Sequence, residues 1–301
     1  MSAATPIETI VFPGGFNWPL FAGQAQGFFR DNGVEVRMTP TPDSKFQMVG
    51  LIDGRFDVAM TAVDNVIAYV NGQGAAPTES EPDIVAFMGC DNGFLRLVAT
   101  PDVTSIADLK GRTIAVDALT TGYAFALFKA LENGGLSEGD YELVSAGGVK
   151  ARFDGLLAGG SFSATLLVSP LEAAARRAGC NVLADVSASL APYQGVVGAV
   201  RRGWAAENGR AIAGFRDGYR SAVGWLREPG NRARAIDVLM AHVPGLTEVV
   251  ADESYAILLD RETGFFADGN LNRKGIETVL DLRRRYANAA ARLAPVDRYL
   301  M

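Results

Sequence analysis

Histidine and cysteine are scarce in this sequence, which limits the chemistry that the protein can perform. The 301-residue chain has one histidine, His242, and two cysteines, Cys90 and Cys180. His242 lies in a helix-like stretch far from the candidate site loops, which disfavours a histidine-rich metal site and a Ser-His-Asp triad. We therefore expect no metal and no cofactor. The cysteines lack metal-type spacing, so we expect buried free thiols, with a disulfide between them as the alternative.

Long apolar runs and concentrated basic patches are also missing. No apolar stretch reaches the roughly 18 to 20 residues that a membrane helix needs. The net charge is −6 and the basic residues are scattered, which disfavours a nucleic-acid surface or an anionic-membrane footprint. The first residues, MSAATPIETIVF, lack the basic region and apolar core of a signal peptide. We expect a monomer that is the cut, periplasmic form of an exported protein, with a cytoplasmic protein as the alternative.

Strands and helices alternate along the first two thirds of the chain. The hydrophobic pattern predicts strands at 7–12, 34–38, 56–60, 84–88, 113–116, 141–144 and 164–168. It predicts helices at 18–30, 44–52, 64–70, 121–133 and 150–158, with a further helix starting at Ser169-Pro170-Leu171-Glu172. This spacing indicates βαβ units and parallel-rich sheets.

The last hundred residues are mostly helical. Apolar stripes at helical spacing identify the core-facing sides: Ile212, Phe215, Tyr219, Ala222, Val223 and Leu226 in one helix, and Ile276, Val279, Leu280 and Arg283 in the last. We therefore predict two α/β lobes with a helical tail that packs back on the first.

Four segments, in order, resemble motifs of a known family. They are 25–36 (AQGFFRDNGVEV), 51–59 (LIDGRFDVA), 106–116 (IADLKGRTIAV) and 156–170 (LLAGGSFSATLLVSP). The chain resembles the type 2 periplasmic solute-binding proteins of ABC importers. The branch that it resembles is the NMT1/THI5-like one, which holds binders of aliphatic sulfonates, taurine and pyrimidine precursors.

The resemblance implies an architecture and a function. It implies two Rossmann-like lobes joined by a two-segment hinge near 96–100 and 192–197. Lobe 1 would comprise residues 1–98 and 197–301, and lobe 2 residues 99–196. A small polar organic molecule would bind in the cleft between the lobes, hinge closure would bury it, and an ABC permease would be the partner.

Candidate ligand-binding residues follow from the expected strand ends, because ligands of parallel α/β sheets bind at the carboxyl ends of strands and at helix N-termini. The candidates are Phe16, Asn17, Trp18, Asp64, Asn65, Asp91, Asn92, Asp117, Thr120, Thr121, Arg152 and Ser169. Several have a purely structural alternative. Asp64, Thr120, Thr121 and Ser169 could each be a helix cap, and the Gly14-Gly15 pair before Phe16 could be a turn.

The charges on these loops bear on the ligand. Asp64, Asp91 and Asp117 fall on cleft loops, whereas no Lys or Arg occurs on those loops before Lys150 and Arg152. A sulfonate or phosphate site commonly uses an Arg fork. We therefore expect a polar ligand with an amine or heteroaromatic part, with Arg152 available for a carboxylate.

An enzyme remains the alternative, because cytoplasmic decarboxylases, lyases and desulfinases resemble this fold. A desulfinase would need Cys90 as its nucleophile, and no basic neighbour that would lower the pKa of this thiol is evident. A decarboxylase or lyase could use Asp91 or Asp117 as acid or base. We expect binding without catalysis.

Overall fold

The computed structural model describes residues 4–287 and 292–301 and contains two five-stranded sheets. The strands are β1 Thr5–Val11, β2 Val34–Pro40, β3 Val58–Ala62, β4 Ile84–Gly89, β5 Arg96–Ala99, β6 Thr113–Val116, β7 Glu142–Ser145, β8 Ala164–Leu167, β9 Asn181–Asp185 and β10 Val196–Arg201. The first sheet has the order β2-β1-β3-β10-β4 and the second the order β7-β6-β8-β5-β9. The α/β class and parallel-rich sheets predicted from the sequence are confirmed.

The two sheets share one design. In the first, β1 pairs in parallel with β2 and β3, while β10 runs antiparallel to both β3 and β4. In the second, β6 pairs in parallel with β7 and β8, while β5 runs antiparallel to β8 and β9. Each sheet therefore has four strands in one direction and a single reversed strand at the fourth position. The carboxyl ends of the four lie on one edge, where ligands of α/β proteins bind.

The chain passes between the sheets twice. It leaves β4 of the first sheet and enters the second as the reversed strand β5, over residues 90–95. It returns over residues 186–195 and re-enters the first sheet as β10. The two passages contact each other, since the backbone N–H of Gly195 donates to Asp91 O at 2.9 Å and that of Val186 to Leu95 O at 2.9 Å. Because β5 starts at Arg96, the first passage precedes the segment 96–100 that the family resemblance implied.

Thirteen α-helices connect and cover the strands over the described residues. They are α1 Trp18–Ala25, α2 Phe28–Asp31, α3 Ser44–Ile52, α4 Val63–Val70, α5 Gly122–Asn133, α6 Val149–Leu157, α7 Leu171–Arg177, α8 Val186–Ser189, α9 Arg202–Glu207, α10 Gly209–Arg227, α11 Arg232–His242, α12 Glu248–Leu258 and α13 Arg273–Tyr286. The single helix predicted over 18–30 is split into α1 and α2. Gly27 causes the break because its φ of 82° is left-handed.

The C-terminal helices connect the two halves of the molecule. The apolar stripe predicted for α10 is buried along its length, and α10 packs on α1 and α2. Helix α13 packs on α4, which follows β3 of the first sheet, and also on α5, which follows β6 of the second. Helix α12 contacts α7 beside the second sheet. The tail therefore contacts both sheet systems, whereas the sequence predicted packing on the first alone.

Both cysteines are buried free thiols, as the sequence predicted. His242 ends α11 and stacks on Phe21, with ring centroids 4.3 Å apart. None of the helices within 4–287 and 292–301 is both long and apolar enough to cross a membrane.

Candidate functional site

A cavity of about 110 Å³ lies between the two sheets, at the carboxyl ends of their parallel strands. Its walls come from residues that follow β1, β3, β4, β6 and β8, and from the start of α6. Seven of the predicted residues line it: Phe16, Asp64, Asn65, Asp91, Asp117, Thr121 and Arg152. Much of the remaining wall is aromatic or aliphatic, with Phe12, Met60, Phe94, Leu95, Tyr123, Val149, Leu166, Val168 and Val196. This mixture of apolar walls and a few polar groups is typical of a small-molecule site.

The loop after β1 contributes one of its three predicted residues. Phe16 lines the cavity. Trp18 is instead fully buried in the core, where its indole Nε1–H donates to Ala235 O at 2.9 Å. Asn17 is buried too, and its amide donates to Phe12 O at 2.6 Å. Neither side chain lines the cavity, because both are buried and hydrogen-bonded within the protein.

Asp64 is held by a residue that the sequence analysis did not select for the site. Arg283 of α13 donates from Nε to Asp64 Oδ1 at 2.7 Å and from Nη2 to Asp64 Oδ2 at 2.6 Å. Both side chains are almost completely buried, at 2% and 4% exposure. Two parallel charge-assisted hydrogen bonds are the strongest form of this pair. The Asp64 carboxylate therefore serves this ion pair, although the residue lines the cavity.

Arg283 also reaches the second half of the molecule. Its Nη2 donates to the carbonyl of Thr120 at 3.2 Å, directly before α5. Its guanidinium lies over the ring of Phe125 in α5, 5.1 Å from the centroid. The buried pair thus connects α4, α13 and the N-terminal end of α5. Thr120 itself is exposed and outside the cavity wall, so it contributes a backbone carbonyl to Arg283 and no side chain to the cavity.

Two glycines allow the halves to touch across the cavity. A Cβ atom on Gly122, the first residue of α5, would overlap the Cβ of Asp64. A Cβ on Gly15 would lie 2.7 Å from Cδ of Pro170, which belongs to the loop after β8. Real Cβ atoms do not approach so closely, so only glycine permits these contacts. The two halves therefore touch on two sides of the cavity.

The first passage between the sheets forms part of the cavity wall. The buried Oδ1 of Asp91 accepts from the backbone N–H of Gly93 at 2.8 Å and from that of Val196, the first residue of β10 directly after the returning passage, at 3.0 Å. Burial raises the pKa of Asp91 to about 6, because desolvation outweighs these two hydrogen bonds. Its Oδ2 is enclosed and has no protein partner within the described residues. Asp91 thus ties the two passages together.

Phe94 lines the same wall with a strained backbone. It is the one non-glycine residue with positive φ in the described part of the chain, at 51°. Its N–H donates to the side chain of Asn92 at 3.2 Å, which keeps Asn92 out of the cavity wall. A bulky residue in this region costs about 1–3 kcal/mol, and such strain clusters at ligand sites.

The N-terminus of α5 forms the wall on the side of the second sheet. Thr121 caps the helix: its Oγ1 accepts from Ala124 N–H at 3.4 Å and donates to Asp117 Oδ1 at 2.8 Å. The first free N–H groups of α5 belong to Gly122 and Tyr123, both of which line the cavity. The N-terminus of a helix of this length, 12 residues, favours the binding of anionic or carbonyl groups. Tyr123 hydroxyl makes no hydrogen bond within residues 4–287 and 292–301.

Arg152 of α6 is the basic group of the cavity wall. It is 5% exposed, and its Nε donates to Gly147 O at 3.1 Å. Its Nη1 donates to Thr165 Oγ1 at 2.7 Å and to Leu166 O at 2.5 Å. These acceptors are all uncharged, and within the described residues no protein acceptor meets Nη2. Burial lowers the pKa of Arg152, and the charge of the nearby Asp117 partly offsets this. The guanidinium therefore has no carboxylate in direct contact and keeps a vacant donor at Nη2.

Ser169 has a structural role different from the predicted one. Helix α7 starts at Leu171, and the buried Ser169 hydroxyl donates to the Glu172 carboxylate. It neither caps the helix nor lines the cavity. Because the Ser169 hydroxyl donates its hydrogen bond to the Glu172 carboxylate and accepts none from the backbone of α7, the predicted capping box does not form.

The residue that a desulfinase would need lies elsewhere. Cys90 is outside the cavity wall, and burial raises the pKa of its thiol well above the ordinary value. A thiol of that kind is a poor nucleophile, because the thiolate is the reactive form. Within the described residues there is also no group of three His, Cys, Asp or Glu side chains placed to hold a metal ion.

The fold resembles solved structures of binding proteins and of one enzyme. The ligand-binding component of an ABC-type import system from Staphylococcus aureus matches with a TM-score of 0.77 at 12% identity, over 99% of this chain and 96% of that one. The alkanesulfonate-binding protein SsuA from Xanthomonas axonopodis pv. citri, bound to MOPS, matches with a TM-score of 0.75 at 17% identity, over 98% and 99%. The desulfurization enzyme DSZB matches with a TM-score of 0.65 at 15% identity, over 99% and 96%.

At these identities the three structures establish the fold alone. No curated protein matches the chain in sequence. The model of the family described as "NMT1/THI5 like" matches residues 17–230, which is more than half of the chain. The match includes both passages between the sheets and most of the cavity wall. The chain therefore belongs to the NMT1/THI5-like family and has the fold of the periplasmic solute-binding proteins of ABC importers.

Proposed function

We propose that this protein captures one small polar organic molecule in the cavity between its sheets and delivers it to an ABC permease. The observation that carries the proposal is the cavity between the sheets, at the carboxyl ends of both sets of parallel strands. It combines apolar walls with a vacant guanidinium donor at Arg152 and the free N–H groups of α5. Membership of the NMT1/THI5-like family and the likeness to import-system components support it.

Release and capture require the cavity to open. In the proposal, lobe 1 carries the first sheet and lobe 2 the second, and they rotate about the passages at 90–95 and 186–195. The lobe boundaries expected from the sequence, at 98 and 196, shift by a few residues because β5 belongs wholly to the second sheet and β10 wholly to the first. Opening separates Gly122 from Asp64 and Gly15 from Pro170, which touch in the closed form. Such a hinge motion would widen the entrance of the cavity for the ligand. The proposed setting is the periplasm, with the protein acting as a monomer.

The test is a thermal-shift screen of amines, amino acids, sulfonates and aromatic acids against the purified protein. We expect one class to raise the melting temperature, and the bound compound to be recovered unchanged after long incubation. Phe16→Ala, which opens the cavity wall, should weaken the shift, whereas Phe46→Ala, which removes an exposed ring outside that wall, should retain it. A compound that is consumed during incubation would contradict the proposed function.

A further inference from the structure

The cavity wall carries more negative than positive charge once internal ion pairs are removed. The wall contains three acidic residues, Asp64, Asp91 and Asp117, and one basic residue, Arg152. Asp64 is neutralised by Arg283. Two carboxylates, Asp91 and Asp117, then face one guanidinium, which leaves a net charge of about −1 at neutral pH. A ligand with only an anionic group would enter against this excess.

Asp117 and Arg152 each retain a vacant position in the same cavity. Asp117 Oδ1 accepts from Thr121, but its Oδ2 has no protein partner within 4–287 and 292–301. Arg152 is more than nine-tenths buried, lines the cavity and bonds only to uncharged acceptors. Asp117 follows β6 and Arg152 lies in α6 after β7, both beside the second sheet, and the two side chains do not form an ion pair at 4 Å or less in the described structure. A ligand with one cationic and one acidic group could therefore pair its cation with Asp117 and its acid with Arg152.

Aromatic rings surround these charges. Phe12, Phe16, Phe94 and Tyr123 all line the cavity. The face of an aromatic ring attracts a cation, by about 0.5–2 kcal/mol depending on desolvation. The wall therefore offers a cationic nitrogen a carboxylate with aromatic rings in the same wall, whereas it offers an acid group Arg152 and the N–H groups of α5.

We infer that the ligand is a compact zwitterion, with a cationic nitrogen held at Asp117 among the aromatic rings and an acid group held at Arg152. This inference rests on the proposed function and specifies its ligand class. A small zwitterion adds no net charge to the negative wall, and it pairs with both Asp117 and Arg152. A pure amine leaves the buried Arg152 unpaired, which is costly. A pure acid leaves the half-buried Asp117 without a partner in the cavity.

The test compares triads of compounds that share one carbon skeleton. L-phenylalanine, 3-phenylpropanoate and 2-phenylethylamine form an aromatic triad, and taurine, ethanesulfonate and ethylamine form an aliphatic one. A panel of further amino acids, amino sulfonates and betaines with their single-charge counterparts extends the series. Calorimetric titration should show that a zwitterion binds at least tenfold more tightly than either counterpart. Asp117→Asn should reduce that preference over the acid at least fivefold, whereas the exposed Asp281→Asn should retain it.

Two results would overturn the inference in different ways. An acid that binds as tightly as its zwitterion refutes the ligand class but leaves the proposed function intact. The absence of binding by every class in the panel contradicts the proposed function and the inference together. Retention of the full preference in Asp117→Asn would show that the cationic nitrogen is held elsewhere.

Discussion

Replacing Arg283 by methionine should destabilise the closed protein severely. The change leaves the carboxylate of Asp64, which is 4% exposed, without its two charge-assisted hydrogen bonds. Removing one partner of a buried ion pair costs about 3–5 kcal/mol, because the other charge remains desolvated. For a chain of this size that cost corresponds to a fall of roughly 10 °C in melting temperature. Part of the loss also comes from the bonds of Arg283 to Gln73 and Thr120.

The control is the next residue along α13. Arg284 pairs with Asp281 at the surface, where both side chains are more than half exposed, and such pairs contribute about 0–1 kcal/mol. Arg284→Met should therefore change the free energy of unfolding little. The double variant Asp64→Leu with Arg283→Met removes both charges and should recover at least half of the loss.

Urea denaturation followed by circular dichroism gives the free energies of unfolding for this cycle. A loss below about 1 kcal/mol for Arg283→Met, equal to that of Arg284→Met, would refute the reasoning. Such a result would mean that Asp64 is hydrated in solution, as it would be if α13 and α5 separated. A double variant as unstable as the single one would instead show that Arg283 acts through packing on Phe125.

Three further predictions concern the hinge, the closing contact and the core. Because Asp91 has a pKa raised to about 6 in the folded protein, folding favours its protonated form; the stability that it contributes is present below about pH 4 and is lost, by about 3 kcal/mol, as the pH rises through 6. Asp91→Asn should remove this component from the pH profile of the unfolding free energy, and identical profiles would contradict it. Gly122→Ala should hold the lobes apart and weaken ligand binding at least tenfold in calorimetric titration, while Gly224→Ala, with open space around its Cβ, should leave affinity unchanged; equal affinities would refute the closing contact. Trp18→Phe should lower the unfolding free energy by about 1–3 kcal/mol through its lost buried hydrogen bond, with ligand affinity unchanged; a loss of affinity would restore Trp18 to the site.

The strand order could be predicted from the sequence only in part. The parallel strands β1, β2, β3, β6, β7 and β8 follow helices or turns at the spacing of βαβ units, and the pattern identifies each of them. The strands β5, β9 and β10 were not predicted. β5 has four residues, and β9, Asn181–Asp185, is partly exposed with no buried residue in its span. Both are defined by pairing with each other across the second sheet, which is a long-range contact.

The site shows where sequence reasoning succeeds and where it stops. Strand ends identified Asp91, Asp117 and Thr121, because backbone direction determines which loops meet. The orientation of a side chain within a loop is not encoded in the same way. Phe16 and Trp18 are two residues apart, yet one lines the cavity and the other lies in the core.

Arg283 illustrates a signal that was present in the sequence. It falls on the apolar stripe of α13 with Ile276, Val279 and Leu280, and all four are buried. A charged residue on a buried helix face requires a buried partner of opposite charge. The pattern therefore indicates a buried ion pair, but it cannot identify the partner Asp64, which is 219 residues away in the sequence.

Native mass spectrometry tests the central claim, capture of one solute without reaction, most directly. The compound that gives the largest thermal shift would be incubated with the protein, and the complex weighed intact and then after denaturation. We predict one bound molecule per chain, released at its original mass, and loss of the bound species in Phe16→Ala. A complex whose bound compound returns at a changed mass, or no bound species for any compound in the screen, would contradict it.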